Sequence, residues 1–333
     1  MTRYLIRRIL WAIVLFFAVT VVSYVLFYII PADPAKQACG QACTEVEVKR
    51  VKHFLGLDRP IYVQYGRFVG RLLPFDFWEW PPHFKTPSLG QSFFSRQPVN
   101  KLVLDAAPVT ASLVLGGAFF WMLIAIPVGV LSALRPRSLL DRASMTFVLI
   151  GISAHPIWIG LIFAYFFGYR WHITPITGYR DFINPPPYQS GGPVQWAYHM
   201  ILPWATFAIL FAALYVRMIR ANVLETMNED YVRTARAKGA PEPRVLRSHI
   251  LRNALLPIVT MLGMDIGIAL GGAIFTETVY SLPGLGRTSI QALNNYDTPT
   301  VQGVIVFATI AIIVFNLVVD LLYAWIDPRI RLA

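Results

Sequence analysis

Charge is scarce in this chain, and acid scarcer still. Only 14% of its 333 residues are charged, with 18 Asp and Glu against 29 Lys and Arg, too little to solvate the surface of an ordinary soluble domain. Catalytic signatures are missing as well. There is no Walker-type phosphate loop, no His-Glu-x-x-His pair and no nucleophile elbow, and the six histidines do not cluster, so nothing points to a catalytic or metal centre of the chain's own. Cysteine is limited to Cys39 and Cys43.

What fills the sequence instead is apolar. Hydrophobic residues make up 56% and the mean hydropathy is +0.54, which places the chain in a bilayer. Six stretches of about 20 residues are long enough to cross the ~30 Å of hydrocarbon: roughly 9 to 30, 109 to 134, 143 to 169, 200 to 219, 256 to 279 and 303 to 326. The net charge of +11 raises nucleic acid as a partner, but its placement gives a simpler reading. Arg3, Arg7 and Arg8 precede the first span, Arg135, Arg137 and Arg142 follow the second, a basic loop follows the fourth, and Arg329 and Arg331 end the chain. Basic residues gathered in alternate short loops predict both termini and the 229–257 loop on the cytoplasmic side, and no nucleic acid is required. The first apolar run is as long as a full span and is followed by Pro31-Ala32-Asp33, a poor cleavage site, so it reads as an uncleaved helix.

The chain divides at about residue 108. Residues 1–108 hold the first span and a long outside segment. In that segment Glu45 to Leu57 and the stretch after Pro60, with Ile61, Tyr65, Phe68, Val69 and Leu72 on one face, read as short amphipathic helices. Residues 74–87 are aromatic and proline-rich, which prevents a long regular element. Cys39 and Cys43 face an oxidising compartment in this topology. They suit a small disulfide loop, with free thiols the alternative; a metal would need more ligands than the neighbouring His53 supplies. Residues 109–333 form a five-span core. Pro156 after His155 predicts a kink in the third span, and the proline- and glycine-rich loop 170–199 predicts no regular structure. In the fifth span Gly263, Gly267 and Gly271 form a flat stripe for close helix packing. Asp265 lies about 200° from Gly263, off that stripe. A carboxylate at mid-bilayer costs about 2.5 kcal/mol or more, so Asp265 should face a cavity or a partner chain, or hydrogen-bond to a neighbouring helix.

The most informative stretch is the long polar interval Glu229 to Pro257, which carries Arg233, Arg236, Lys238, Arg244, Arg247 and Arg252. It reads as two short helices hinged at Gly239. Asp230 is expected to cap the first, Gly239 to supply a left-handed stop, and Pro241 to open the second, which should run to about His249. Its Asp-Tyr-Val-Arg-Thr-Ala-Arg-Ala-Lys-Gly segment resembles the coupling loop of ABC importer permeases, in the form typical of the B-type subunit of the dipeptide and oligopeptide permease family. The family's general Glu-Ala-Ala falls here on Arg233, Thr234 and Ala235, and the Leu256-Pro257 ending comes later than the general spacing. Residues 54–65, Ser88 to Ser92, Gln97-Pro98-Val99, Glu277 to Arg287, Asn295 to Pro299, and Asn316 onward resemble the same family.

That resemblance implies an all-α integral membrane protein of six transmembrane helices, a type I ABC importer-like permease with a cytoplasmic coupling helix, in a bacterial inner membrane. It implies a non-catalytic subunit that binds no cofactor itself. A related permease chain would complete a heterodimer, two ATPase subunits would carry ATP and Mg, and an extracytoplasmic solute-binding protein would deliver dipeptides or oligopeptides. Nickel, glutathione or another small solute is the alternative cargo. Asp230, Arg233, Ala235, Gly239, Pro241, Arg244, Val245, Arg247 and His249 are the coupling candidates. His155, Asp265, Glu277, Pro283 and Gly284 are candidates for the translocation path, the Pro283 to Gly286 turn as an outside loop dipping toward it. An intramembrane hydrolase built on Asp265 would need a second matching aspartate motif, and a secondary transporter would need inverted repeats with paired broken helices; neither pattern is present.

Overall fold

The computed structural model describes residues 2–29, 44–54, 58–73, 75–76, 83–84, 86–183 and 191–326. Cys39 and Cys43 lie outside these residues. Four helices are each long and apolar enough to cross a membrane by themselves. They are α1 (Thr2–Tyr24, continued by a π-helical turn over Val25–Ile29), α4 (Val99–Leu134), α7 (Pro193–Met227) and α13 (Thr298–Ile326). Two further spans are bent pairs, α5 with α6 (Leu139–Ser153 and Pro156–Arg170) and α9 with α10 (Glu242–Ala254 and Leu256–Ala269). Counting each pair as one span gives six.

The centre of the molecule is the α4–α7 pair, because both helices carry small residues where they meet. A side chain at Gly116 or Gly117 would overlap Trp204 or Phe207, and one at Gly129 would press on Ile219. Trp121 and Tyr215 are fully buried there, and Trp121 stacks on Phe211 at 4.6 Å. Trp204 Nε1 donates to Ser112 O at 2.8 Å, so the indole is satisfied while it packs. The glycine stripe of α10 does what its spacing predicts: Gly263, Gly267 and Gly271 lie against Val319, Ile312 and Ala308 of α13.

Two spans depart from the sequence reading. The third is broken at Ala154–His155 and turns through 106°. Pro156 does not kink a continuous helix; it sits in the opening turn of a new one, with His155 as its N-cap, a position where the missing proline N–H costs nothing. The fifth span ends at Ala269 instead of 279. Gly272, at φ 132, breaks the backbone, and the chain resumes as the short helices α11 (Ile274–Val279) and α12 (Leu285–Asn294). In the 170–199 region helical structure also reaches further than expected, since α6 runs to Arg170 and α7 begins at Pro193.

The segment between α1 and α4 packs on the bundle through its second helix. Helices α2 (Glu45–Phe54) and α3 (Ile61–Leu72) form as the amphipathic pattern predicts. The α3 face of Tyr65, Phe68, Val69 and Leu72 packs on Phe16 and Tyr24 of α1, on Tyr28 of the π-helical turn that follows it and on Val306 of α13, whereas Ile61, expected on the same face, is exposed. A two-residue ladder pairs β1 (Phe75–Asp76) with β2 (His83–Phe84). Ser92 and Asp297, two residues in separate family-like motifs, meet here: Ser92 Oγ and Phe93 N donate to the Asp297 carboxylate at 2.5 and 2.8 Å, and Thr300 Oγ1 adds a third bond at 2.7 Å.

Candidate functional site

Between α7 and α10 the chain projects as two short helices. The first, α8 (Asp230–Ala237), ends in a left-handed glycine stop. Gly239 has φ 79, its N–H donates to Arg236 O at 2.9 Å, and the Ala240 N–H reaches back to Ala235 O at 3.2 Å. These are the paired bonds of a Schellman ending, which satisfy carbonyls the helix would otherwise leave open. A side chain at Gly239 would meet nothing within 4 Å. Glycine is required there by backbone strain alone.

Asp230 does not cap α8. Glu229 holds the N-cap position without a side-chain bond, and the Asp230 carboxylate sits exposed in the first turn, 3.7 Å from Arg233. The second helix is longer than expected, Glu242–Ala254, with a π-helical stretch over Val245–Leu251, and meets α10 at a 44° bend. Pro241 is its N-cap residue. Across the hinge Arg236 Nε donates to Glu242 Oε1 at 2.8 Å, tying the two helices together.

The expected coupling residues fall into two groups. Val245, with Val232, is fully buried and anchors the projection to the bundle, and Ala235 packs partly against the same core. Tyr231 accepts a 2.8 Å bond from Asn253, and Asn222 of α7 donates to Ala254 O at 3.3 Å. By contrast Arg233, Lys238, Gly239, Pro241, Arg244 and Arg247 are exposed, and His249 is half-buried. The result is a rigid, basic knob fixed at its root.

On α7, ahead of that root, stands an ion pair not foreseen from the sequence. Asp141 and Arg220 meet Oδ1 to Nε at 2.6 Å and Oδ2 to Nη2 at 3.0 Å. Ser132 Oγ and the Arg137 N–H complete the carboxylate's shell at 2.5 and 2.8 Å. The pair fastens the α4–α5 turn to the end of α7, directly before the projection. Buried carboxylates persist only when so satisfied.

Beyond α10 the chain folds inward. Glu277 of α11 is fully buried. It accepts from Thr110 Oγ1 at 2.8 Å, the Arg287 N–H at 2.9 Å and the Ala273 N–H at 3.2 Å. Thr110 Oγ1 in turn accepts from the Leu285 N–H at 2.8 Å. A side chain at Gly284 would overlap the Glu277 carboxylate, so Gly284 is there for closeness, while Pro283 beside it is exposed. Of the other path candidates, His155 is exposed and sits edge-on to Phe275 at 5.0 Å. Asp265 is half-buried and accepts from Tyr215 Oη at 2.6 Å. Glu277, Pro283 and Gly284 are thus brought together, whereas Asp265 stands apart on α10.

Comparison with known proteins agrees with this architecture. The model of the binding-protein-dependent transport system inner membrane component family matches residues 125–332, and that of the N-terminal membrane component of such systems matches residues 1–114. The chain belongs to this family: it is a multi-pass membrane permease component of an ABC transport system. Among its relatives are the probable D,D-dipeptide transport system permease protein DdpB of Escherichia coli (strain K12), 37% identical over 98% of this chain and 97% of that protein. The dipeptide transport system permease protein DppB of the same strain is 35% identical over 99% of both chains. A putative peptide transport system permease protein of Brucella abortus (strain 2308) is 33% identical, again over 99% of both. In fold, the chain is similar to the MetNI methionine ABC transporter in inward facing conformations, with a TM-score of 0.53 and 20% identity over 68% of this chain and 97% of that one.

Proposed function

We propose that this chain is one of two related permease subunits of an ATP-driven importer that takes up dipeptides or oligopeptides delivered by an extracytoplasmic solute-binding protein. The observation that carries the reading is 33 to 37% identity, over almost the full length, to permeases named for peptide and dipeptide transport. On this reading both termini and the 229–257 projection are cytoplasmic, in keeping with the arginine placement. Two ATPase subunits, which hold the ATP and Mg, bind beneath.

The projection supplies the mechanical link. Closure of the ATPases must be converted into movement of membrane helices, and α9 suits that task because it continues into α10 with one 44° bend. Arg244 and Arg247 are exposed on it and meet acidic residues of an ATPase groove. Purification of the chain should bring down an ATPase, and vesicles holding the complex should accumulate a labelled dipeptide only with ATP and the binding protein present. A chain that purifies without an ATPase, or takes up dipeptide without ATP, would overturn the reading.

A further inference from the structure

Asp265 is the one ionisable residue in α10; it lies about 14 Å along the axis from the start of that helix and four residues before its end at Ala269, inside a segment apolar enough to be part of a membrane span. Its neighbours on the helix divide cleanly. Gly263 and Gly267 are buried against α13, while Pro257, Met264 and Ile268 form an exposed apolar face with Asp265 on its flank. A lipid-facing carboxylate within a membrane span is disfavoured, so this flank is expected to face water or polar groups in the assembled transporter.

The side chain is held ready and left incomplete. Tyr215 Oη donates to Oδ2 at 2.6 Å, and the Tyr215 ring is fully buried beside Trp121 at 5.7 Å, which fixes where the hydroxyl points. Among the described residues that is the carboxylate's one hydrogen-bond partner, although an ionised carboxylate has about four acceptor sites. No Lys, Arg or His of the described residues pairs with it.

We propose that Asp265, positioned by Tyr215, receives the free α-ammonium of a peptide during its passage. This rests on the peptide-import reading and deepens it. The terminal ammonium is the cationic group that unmodified peptides share whatever their side chains. It offers donors only, as the open Oδ1 requires. A divalent metal ion would ask for several oxygen or nitrogen donors, and no group of three or more His, Cys, Asp or Glu stands together among the described residues.

The test uses the complete complex with its ATPases and binding protein, reconstituted in vesicles, with alanyl-alanine as the probe. Asp265→Asn keeps an acceptor for Tyr215 and removes the charge; uptake should fall tenfold or more, while Asp265→Glu retains most of it. In a Cys39→Ser/Cys43→Ser background, Asp265→Cys should react with water-borne thiosulfonates. The negatively charged sulfonatoethyl adduct should restore part of the lost uptake and the positively charged trimethylammonium-ethyl adduct none. Wild-type uptake by Asp265→Asn, a cysteine that never reacts in the assembled complex, or two adducts that behave alike would each overturn the assignment while leaving peptide import intact. An unmodified complex that imports no peptide overturns the import reading, and the assignment with it.

Discussion

The two connections that flank α10 are built on opposite terms. The one before it, residues 228–255, leaves Lys238, Arg244 and Arg247 exposed and fixes itself through a buried root of Val232 and Val245. The one after it, residues 270–297, turns its acid inward: Glu277 and Thr110 exchange bonds with Ala273, Leu285 and Arg287 and hold the α11–α12 hairpin against α4. Their glycines differ in the same way. Gly239 stands in open space and is required by its left-handed backbone, whereas Gly284 is required because a carboxylate fills the space a side chain would take. A connection that completes its own polar bonds is a structural clamp; one that leaves Lys238, Arg244 and Arg247 in solvent leaves them available to a partner.

The contrast can be broken at several points. The largest effect is expected at the ion pair on α7 ahead of the projection. Arg220→Ala leaves Asp141 buried without its guanidinium, which should cost ~3–5 kcal/mol, read as a clear loss of thermal stability in the detergent-solubilised chain. Next comes the clamp. Thr110→Val keeps the shape but strips a hydroxyl that serves both Glu277 and the Leu285 N–H, at ~1–3 kcal/mol; hydrogen exchange should then quicken in α11 and α12 while α8 and α9 stay unchanged. Equal loosening of both connections would show that they are not independent. The smallest effect is at Arg244→Ala, where an exposed charge contributes ~0–1 kcal/mol to binding. ATPase affinity should be nearly unchanged, and a tenfold loss would make charge, not shape, the basis of docking.

Much of this was legible in the sequence because it rests on composition and local backbone chemistry. Apolar runs located α1, α4, α7 and α13, glycine spacing marked α10 for close packing without indicating that α13 is the partner, and Gly239 located the hinge. The misses share another cause. Pro156 is compatible with a kink or with a helix start, and only packing of α6 beside α7 and α11 selects the start. The run from 256 to 279 is mostly apolar despite Asp265 and Glu277, so hydropathy alone does not reveal that the helix ends at Ala269, just before Gly272. Asp141 was not singled out and Asp297 stood only inside a family-like stretch, because their partners Arg220 and Ser92 lie 79 and 205 residues away. Glu277 was singled out by resemblance, yet its full burial and its bond to Thr110, 167 residues distant, are set by tertiary structure.

On the proposed reading, the braced knob at Gly239 transmits ATP-driven motion to α10. In the reconstituted importer, Gly239→Val forces a β-branched residue into a left-handed turn at a cost of about 1–2 kcal/mol and should change the angle between α8 and α9. The decisive measurement is the number of ATP molecules hydrolysed per dipeptide imported by this variant. The account predicts that uptake falls at least tenfold while hydrolysis persists, or that the ATPase is released from the complex. A Gly239→Val complex that assembles normally and keeps the wild-type ratio and rate would contradict it.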